Sequence, residues 1–498
     1  VTRNLSRFVL ALALGLSGIG CGATSGLPAS SEGALSAQAS RSAALDAWKD
    51  EVIYFVLLDR FANGNRQNDF NVQPQNPTGY HGGDLDGLIS KLPYLDQLGV
   101  TALWISPVVD NDDDQLAKTG LWGFHGYWAK NFETVDEHLG DEAKVKELLS
   151  KAHARGMKVM LDIVANHGGY EYQHRNDPRY KSWFNAHGNI QNWDDQWWLE
   201  HGSLFGLPDF NQGNPEARKY LIDVWSKWAK LGFDGFRVDT VKHVPKEFWA
   251  DFNTQISRRT KSDFLLLGEV LHGDVGYVAD YQRQGKFHSL FDFPLYYTFN
   301  DVFAKGASMR RLGDRFAQDA SYPNAELLSP FLDNHDVPRF LSQAGGDHAK
   351  LKLALACVLT VRGIPSLYYG TEVGMTGSQE PENRQDMAWG QHPELTRYVQ
   401  QLLAVRKASV ALRRGKQLEM WQDDQVYAYS RLATEEEAIV VLNNDGRAQV
   451  REIPLRAESR IQDGTTLVDA LSGEKVVVTG RKIRVPLAGK KAAIFRRG

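Results

Sequence analysis

From Asp46 onward the apolar positions follow a repeating order of amphipathic helix, glycine and short apolar run. The helical spacing from Leu88 to Leu98 stops at Gly99, and Val100–Ile105 follows as a strand. Asp141 to Arg155, Gly156 and Lys158–Val164 repeat the pattern, as do Glu216 to Leu231, Gly232 and Gly235–Asp239. Two further helical spacings, Phe248 to Arg259 and His348 to Val361, precede Phe264–Glu269 and Ser366–Tyr369. Glycine takes the left-handed position after a helix at little cost. Near-continuous apolar strands covered by helices predict a parallel sheet. The chain is long, and no Gly-rich dinucleotide turn follows its first strand, so the prediction is an α/β fold: a closed (β/α)8 TIM barrel over 46–410.

The periodicity fails from His167 to about Leu207, a stretch rich in Asn, Trp, His and Asp. Long loops inside compact domains are usually functional, so 168–207 is expected to be a loop domain inserted after the third strand. After Ala411 the pattern becomes a two-residue alternation, as in Gln425–Ser430 and Ala438–Leu442, broken by turns such as Asn444-Asp445-Gly446. That predicts a C-terminal antiparallel β-sandwich over 411–498.

At the other end, Arg3 and Arg7 precede an apolar stretch from Phe8 to Ile19 that is short for a membrane span. The run Ser17-Gly18-Ile19-Gly20-Cys21 resembles a bacterial lipoprotein signal, although Gly18 stands where Leu is usual. The resemblance implies a signal over 1–21, lipidation of Cys21 and a Ser/Ala/Gly-rich tether over 22–45. An ordinary cleaved signal is the alternative. Either way the protein is expected to be a monomer, secreted or at the cell surface, and if Cys21 is lipidated it touches membrane only through that lipid.

Composition adds little. Among 498 residues, 42% are hydrophobic and 24% charged, an ordinary globular balance. A net charge of −4 gives no basic field for nucleic acid or an anionic membrane. The cysteines are Cys21 and Cys357, the second in an apolar run that predicts a buried thiol, so no disulfide framework is implied.

The chemistry sits where the strands end. Arg237 and Asp239 lie two apart on one strand and share a side. Glu269 ends the next strand. Asp336 follows the apolar run Leu327–Leu332, beside Asn334 and His335. Asp162 ends another strand, followed by Asn166 and His167. Buried charges are costly unless paired or used, and barrel enzymes carry catalysis at the C-terminal strand ends. Paired carboxylates suit glycoside hydrolysis, one attacking the anomeric carbon and the other protonating the leaving oxygen. An arginine beside the attacking carboxylate keeps it ionised.

As a set, the motifs resemble those of the α-amylase superfamily, glycoside hydrolase family thirteen. They run in the family's order: His125-Gly126-Tyr127-Trp128, Asp162–His167, Leu207–Asn211, Gly235–His243, Gly268-Glu269-Val270, Phe331–Asp336 and Gly363–Gly370. The resemblance implies that Asp239 is the nucleophile, Glu269 the acid/base and Asp336 the carboxylate that stabilises the transition state. It implies that Arg237 orients Asp239, that His125, Tyr127, Trp128, His167 and His335 surround the sugar being cleaved, and that Lys242 and His243 meet the leaving side. Glu380 and Arg384, four apart, resemble a pair that holds sugars on the non-reducing side. Retention of configuration, which the family shows, would place the Asp239 and Glu269 carboxyls ~5–5.5 Å apart.

The resemblance also implies Ca2+ as cofactor. Asn166, Asp209 and the His243 carbonyl would hold one ion. A second site, similar to one in cyclodextrin glucanotransferases, would use Asn63, Asn65, Asn68, Asp69, Gly82 and Asp84. Thr240 after the nucleophile resembles enzymes that cut α-1,4 bonds, so the expected reaction is endo-acting hydrolysis of starch, glycogen and maltooligosaccharides. Trp193, Trp197 and Trp198 could stack on glucose or pack the loop domain. Phe205 stands where glucanotransferases place a central aromatic, whereas Leu271 replaces their second one and a single C-terminal β domain follows the barrel. Hydrolysis with some transglycosylation is therefore expected. The alternatives are a glucanotransferase, a maltogenic amylase or a cyclomaltodextrinase. A glucan-binding lipoprotein on a dead barrel is opposed by the presence of all three carboxylates.

Overall fold

Seven parallel strands pair in the order Ser289–Leu290, Leu265–Gly268, Gly235–Val238, Lys158–Ile163, Ala102–Ile105, Ile53–Val56 and Ser366–Tyr368 in the computed structural model. It describes residues 40–116 and 120–498. Residues 329–331 close the ring as the eighth strand, with parallel bridges from Phe291 to Ser329 and from Phe331 to Ser366. The Ser329 and Ser366 amides donate to the Leu290 and Pro330 carbonyls at 2.9 Å each. Pro330 in the middle of this strand has no N–H to give, which keeps its ladder short. The barrel is filled by aromatic rings: Phe55 stacks on Trp104 at 3.6 Å and on Tyr368 at 5.3 Å, and Trp104 meets Phe291 at 5.1 Å.

The expected helices appear as Leu85–Leu98, Glu142–His153, Pro215–Ala229, Lys246–Arg259 and His348–Val358. Asp84, Asp141, Asn214 and Asp347 cap four of them through side-chain oxygens. Gly99, at φ 97°, turns the chain out of the first. Two features lie outside these expected elements. One is an antiparallel pair, Val109–Asn111 with Ala129–Val135, that brings His125–Trp128 back over the barrel. The other is the helix Pro393–Lys407.

The loop domain after the third strand has its own small core of Ile190, Leu199, Leu204 and Leu207, against which Trp128, Tyr170 and Trp198 pack. Trp198 is thus a packing residue, whereas Trp193 and Trp197 are about half exposed. A short helix, Gln196–His201, lies where no periodicity was visible.

The antiparallel sheets begin at Lys416, after the short helix Val410–Arg414, so the change of architecture falls a few residues later than 411. Six strands form one sheet, and Gln449–Pro454 pairs with Lys482–Leu487 in another. The alternation divides the work. Val426, Ala428, Ile439 and Val441 face the second sheet's Ile453, Ile483 and Val485, while Tyr427, Tyr429, Val440 and Leu442 join the barrel core. Cys357 is a buried free thiol whose pKa burial pushes up. Cys21, the signal and most of the tether lie outside the described residues. The tether does not extend to 45, because residues 40–45 are helical, Leu45 is buried, and Arg41 donates to the Ser257 carbonyl.

Candidate active site

The strand ends converge on one buried guanidinium. Arg237, wholly inaccessible, donates through Nη1 to Asp239 Oδ1 at 2.6 Å and to Asp162 Oδ1 at 3.0 Å. Its Nη2 lies 3.5 Å from Glu269 Oε2 and 4.0 Å from Asp336 Oδ2. Asp162 and Arg237 are register partners on adjacent strands, which places their side chains together on the inner face. Asp162 is further fixed by Trp104 Nε1 at 2.9 Å and the Tyr127 hydroxyl at 2.7 Å, so it is an anchor for the arginine.

Four carboxylates around Arg237, with Asp162, Asp239 and Glu269 buried, leave excess negative charge in the site. Burial raises the pKa of Asp239, and repulsion from Glu269 and Asp336 adds to the rise, against the pull of Arg237. Glu269 is raised by burial too, with Arg237 opposing and Asp336 adding. The two differ in their partners. Asp239 has a charge-assisted hydrogen bond at 2.6 Å, whereas Glu269 accepts one neutral amide, that of Thr240, at 3.0 Å. The stronger partner favours the ionised form at Asp239 and leaves the proton to Glu269. That is the division of labour between a nucleophile and a general acid.

Thr240 is the residue that sequence reasoning missed in this role. It sits at φ 49°, a left-handed conformation that a β-branched residue rarely adopts. This turn aims its amide at Glu269. Nothing in the residue type signals such a backbone.

Of the other expected residues, Tyr127 and His335 contact the carboxylates directly, and His125, Trp128 and His167 gather around Tyr127. The Tyr127 ring stacks on His335 at 5.2 Å and 7°, and the Tyr127 amide donates to His125 Nδ1 at 3.0 Å. His125 meets Trp128 edge-on at 4.5 Å. His167 Nε2 lies 3.2 Å from the Tyr127 carbonyl. Burial lowers the pKa of His125, His167 and His335, so all three are neutral donors and acceptors at pH 7. Arg384 pairs with Glu380 at 2.8 Å, and it also reaches Asp336 Oδ1 at 3.2 Å and the His335 carbonyl at 2.9 Å. The Glu380–Arg384 pair thus holds the third carboxylate in place. Lys242 donates to the Leu271 carbonyl at 3.2 Å, and the His243 imidazole meets the Leu199 carbonyl of the loop domain. Phe205 is 74% exposed at φ 51°, with Trp193 6.1 Å away.

Of the two expected calcium sites, the first fits an ion. The Asn166–His167 and Asp209–Phe210 segments are joined by a bridge between His167 and Asp209. Asn166 Oδ1 and Asp209 Oδ1 are buried without hydrogen-bond partners. Burial pushes the Asp209 carboxyl well above its ordinary range, with only Asn185 opposing. Two orphaned oxygens, one on a buried amide and one on a buried carboxyl, are what a hard cation satisfies. The second site does not fit. Asp84 accepts from Gly87, Gly64 and Asn65 amides at 2.6, 3.0 and 2.8 Å, and Asn65 Oδ1 accepts from Gln67. Asn63 Nδ2 lies on both Asp69 oxygens at 2.8 and 2.9 Å, under Gly82, where a Cβ would stand 2.6 Å from Asp69 Oδ1. The loop is closed by its own hydrogen bonds, with Asn68 Oδ1 alone left buried and unpartnered among these six residues.

Residues 55–431 match the family model for the α-amylase catalytic domain. A β/α-amylase from Paenibacillus polymyxa is 39% identical over 470 residues, which is 90% of this chain but 38% of that protein. Among solved structures, an Anoxybacillus α-amylase superposes with a TM-score of 0.85 at 39% identity, over 91% of this chain and 98% of the other. CldA, described as the first cyclomaltodextrin glucanotransferase with a three-domain ABC distribution, gives 0.82 at 33% identity, over 90% and 99%.

Proposed function

The chain belongs to the α-amylase catalytic-domain family of glycoside hydrolases, and on that premise we propose that it is an endo-acting, retaining hydrolase of α-1,4-linked glucans. The observation that carries this reading is the unequal treatment of two buried carboxyls, with Arg237 bonded to Asp239 at 2.6 Å and a single amide on Glu269. Asp239 attacks the anomeric carbon while Glu269 protonates the leaving oxygen. Glu269 then takes a proton from water, which releases the sugar from Asp239 with its configuration retained. Asp336, held by Arg384, faces the sugar hydroxyls as positive charge develops on the ring. His125, His167 and His335, neutral at working pH, supply hydrogen bonds to the sugar in the central subsite.

Asn166 and Asp209, with the His243 carbonyl, would hold calcium, which would tie the loop domain to the third strand. The substrates are starch, glycogen and maltooligosaccharides. The protein acts as a monomer outside the cell, with Cys21 as its lipid anchor.

Phe205 supports a second activity. An exposed aromatic on a stiff left-handed turn beside Trp193 offers an acceptor sugar an apolar face. Transglycosylation therefore accompanies hydrolysis. The number of domains does not argue against it, since CldA, with its three-domain distribution, aligns over 99% of its length.

The test is a product time course on soluble starch and maltoheptaose, with Glu269→Gln as control. Mixed short linear oligosaccharides from the wild type and almost none from the variant support the proposal. Cyclic or elongated products as the main species would assign the chain to the transferases.

A further inference from the structure

Two groups of metal-binding side chains occur outside the cleft among the described residues. In one, Asp110, Asp113 and Glu137, an internal cation is already present: Lys130 Nζ lies 3.1 Å from Asp110 and 2.5 Å from Asp113. The other, His348, His392 and Glu394, contains no lysine or arginine ion pair. His348 opens the helix His348–Val358, His392 caps Pro393–Lys407, and Glu394 lies in that helix's first turn.

The three donor atoms all lie within 4.8 Å of one another. His392 Nδ1 is 3.5 Å from Glu394 Oε1, His348 Nδ1 is 3.9 Å from it, and the imidazole centres are 4.4 Å apart at 82°. Tetrahedral zinc, with bonds of ~2.0–2.1 Å, spaces its donors by ~3.3 Å. The His392–Glu394 pair is already close to that spacing, and the rest of the triad must draw in around the ion. The backbone is shaped around the rings. His392 is left-handed at φ 45°. Opposite it is Gly374, at φ 72°, where a Cβ would stand 2.9 Å from His392 Cδ2 and 3.6 Å from His348 Nε2. Glu394 is the only polar partner of either imidazole among the described residues.

We propose that His348, His392 and Glu394 form a zinc-type metal site that staples the N-termini of the last two barrel helices. Two imidazoles and one carboxylate make a three-ligand set with an open fourth position. Imidazole nitrogen selects a transition metal over calcium or magnesium. The side chains are 30%, 44% and 48% exposed, so an ion can enter and the open position faces water. Partial positive charge at the two helix N-termini opposes the ion, so micromolar affinity is expected.

The test is calorimetric titration of Zn2+ into the full-length, untagged protein with calcium held saturating. His348→Ala and His392→Asn are measured in parallel, since Asn tolerates the left-handed backbone. The expected result is one zinc per wild-type chain with a rise in Tm, affinity reduced ~tenfold or more in each variant, and zinc-free starch hydrolysis unchanged in both. No binding to the wild type at about 100 µM zinc, or binding undiminished in both variants, would overturn the proposal.

Discussion

The Thr240 backbone amide donates to Glu269 Oε2 at 3.0 Å from a left-handed conformation at φ 49°. The nucleophile's own strand thus reaches over to hold the acid on the next one. This contact uses the amide and not the side chain, so Thr240→Gly should leave the pH–rate profile unchanged. Its Tm should also change little, since relief of ~1–2 kcal/mol of left-handed strain is offset by ~0.5–1 kcal/mol of added chain entropy. A shift in the alkaline limb would show that the threonine side chain sets the acid's titration.

Arg237 has the opposite role, since its guanidinium reaches both catalytic carboxyls. Arg237→Gln removes that cation, so the neutral form of Asp239 gains and its pKa rises further. The acidic limb of kcat/KM should move to higher pH, and the maximum should fall by ~10²–10³-fold. A lowered maximum with an unshifted limb would contradict the assignment of Arg237 as the group that keeps Asp239 ionised.

Phe205→Gly separates acceptor binding from folding. The side chain is 74% exposed and its φ of 51° suits glycine, so Tm should not fall. The transfer-to-hydrolysis ratio on concentrated maltoheptaose should fall several-fold. An unchanged ratio would remove the acceptor role.

Much of this was legible in the sequence because buried parallel strands leave an unmistakable apolar run, and because Asp162, Arg237, Asp239, Glu269 and Asp336 all lie next to such runs. The two-residue strand Ser289–Leu290 is harder to see, being too short for periodicity. The link from Arg384 to Asp336 joins residues 48 positions apart, which no local pattern encodes. The second calcium site failed for a related reason. Asn and Asp side chains cap helices and close turns as readily as they bind ions, and Asp84 is a helix cap.

Calcium removal tests the site that remains. The orphaned oxygens of Asn166 and Asp209 predict that a chelator lowers Tm, by ~2.7 kcal/mol of stability relative to calcium at a hundred times its Kd. In Asp209→Asn, scanning calorimetry should find a Tm that responds little to either calcium or chelator. An unaltered calcium response in that variant would place the ion elsewhere.

The central claim is that Asp239 and Glu269 divide a double displacement between them, and trapping the intermediate tests it most directly. In Glu269→Gln, α-maltosyl fluoride can still glycosylate Asp239, because fluoride leaves without an acid, while hydrolysis of the ester lacks its base. The expected result is a stable maltosyl adduct, located by mass spectrometry of the digested protein on the peptide that contains Asp239. Turnover of the fluoride to β-maltose with no adduct, or an adduct on another carboxylate, would contradict the account.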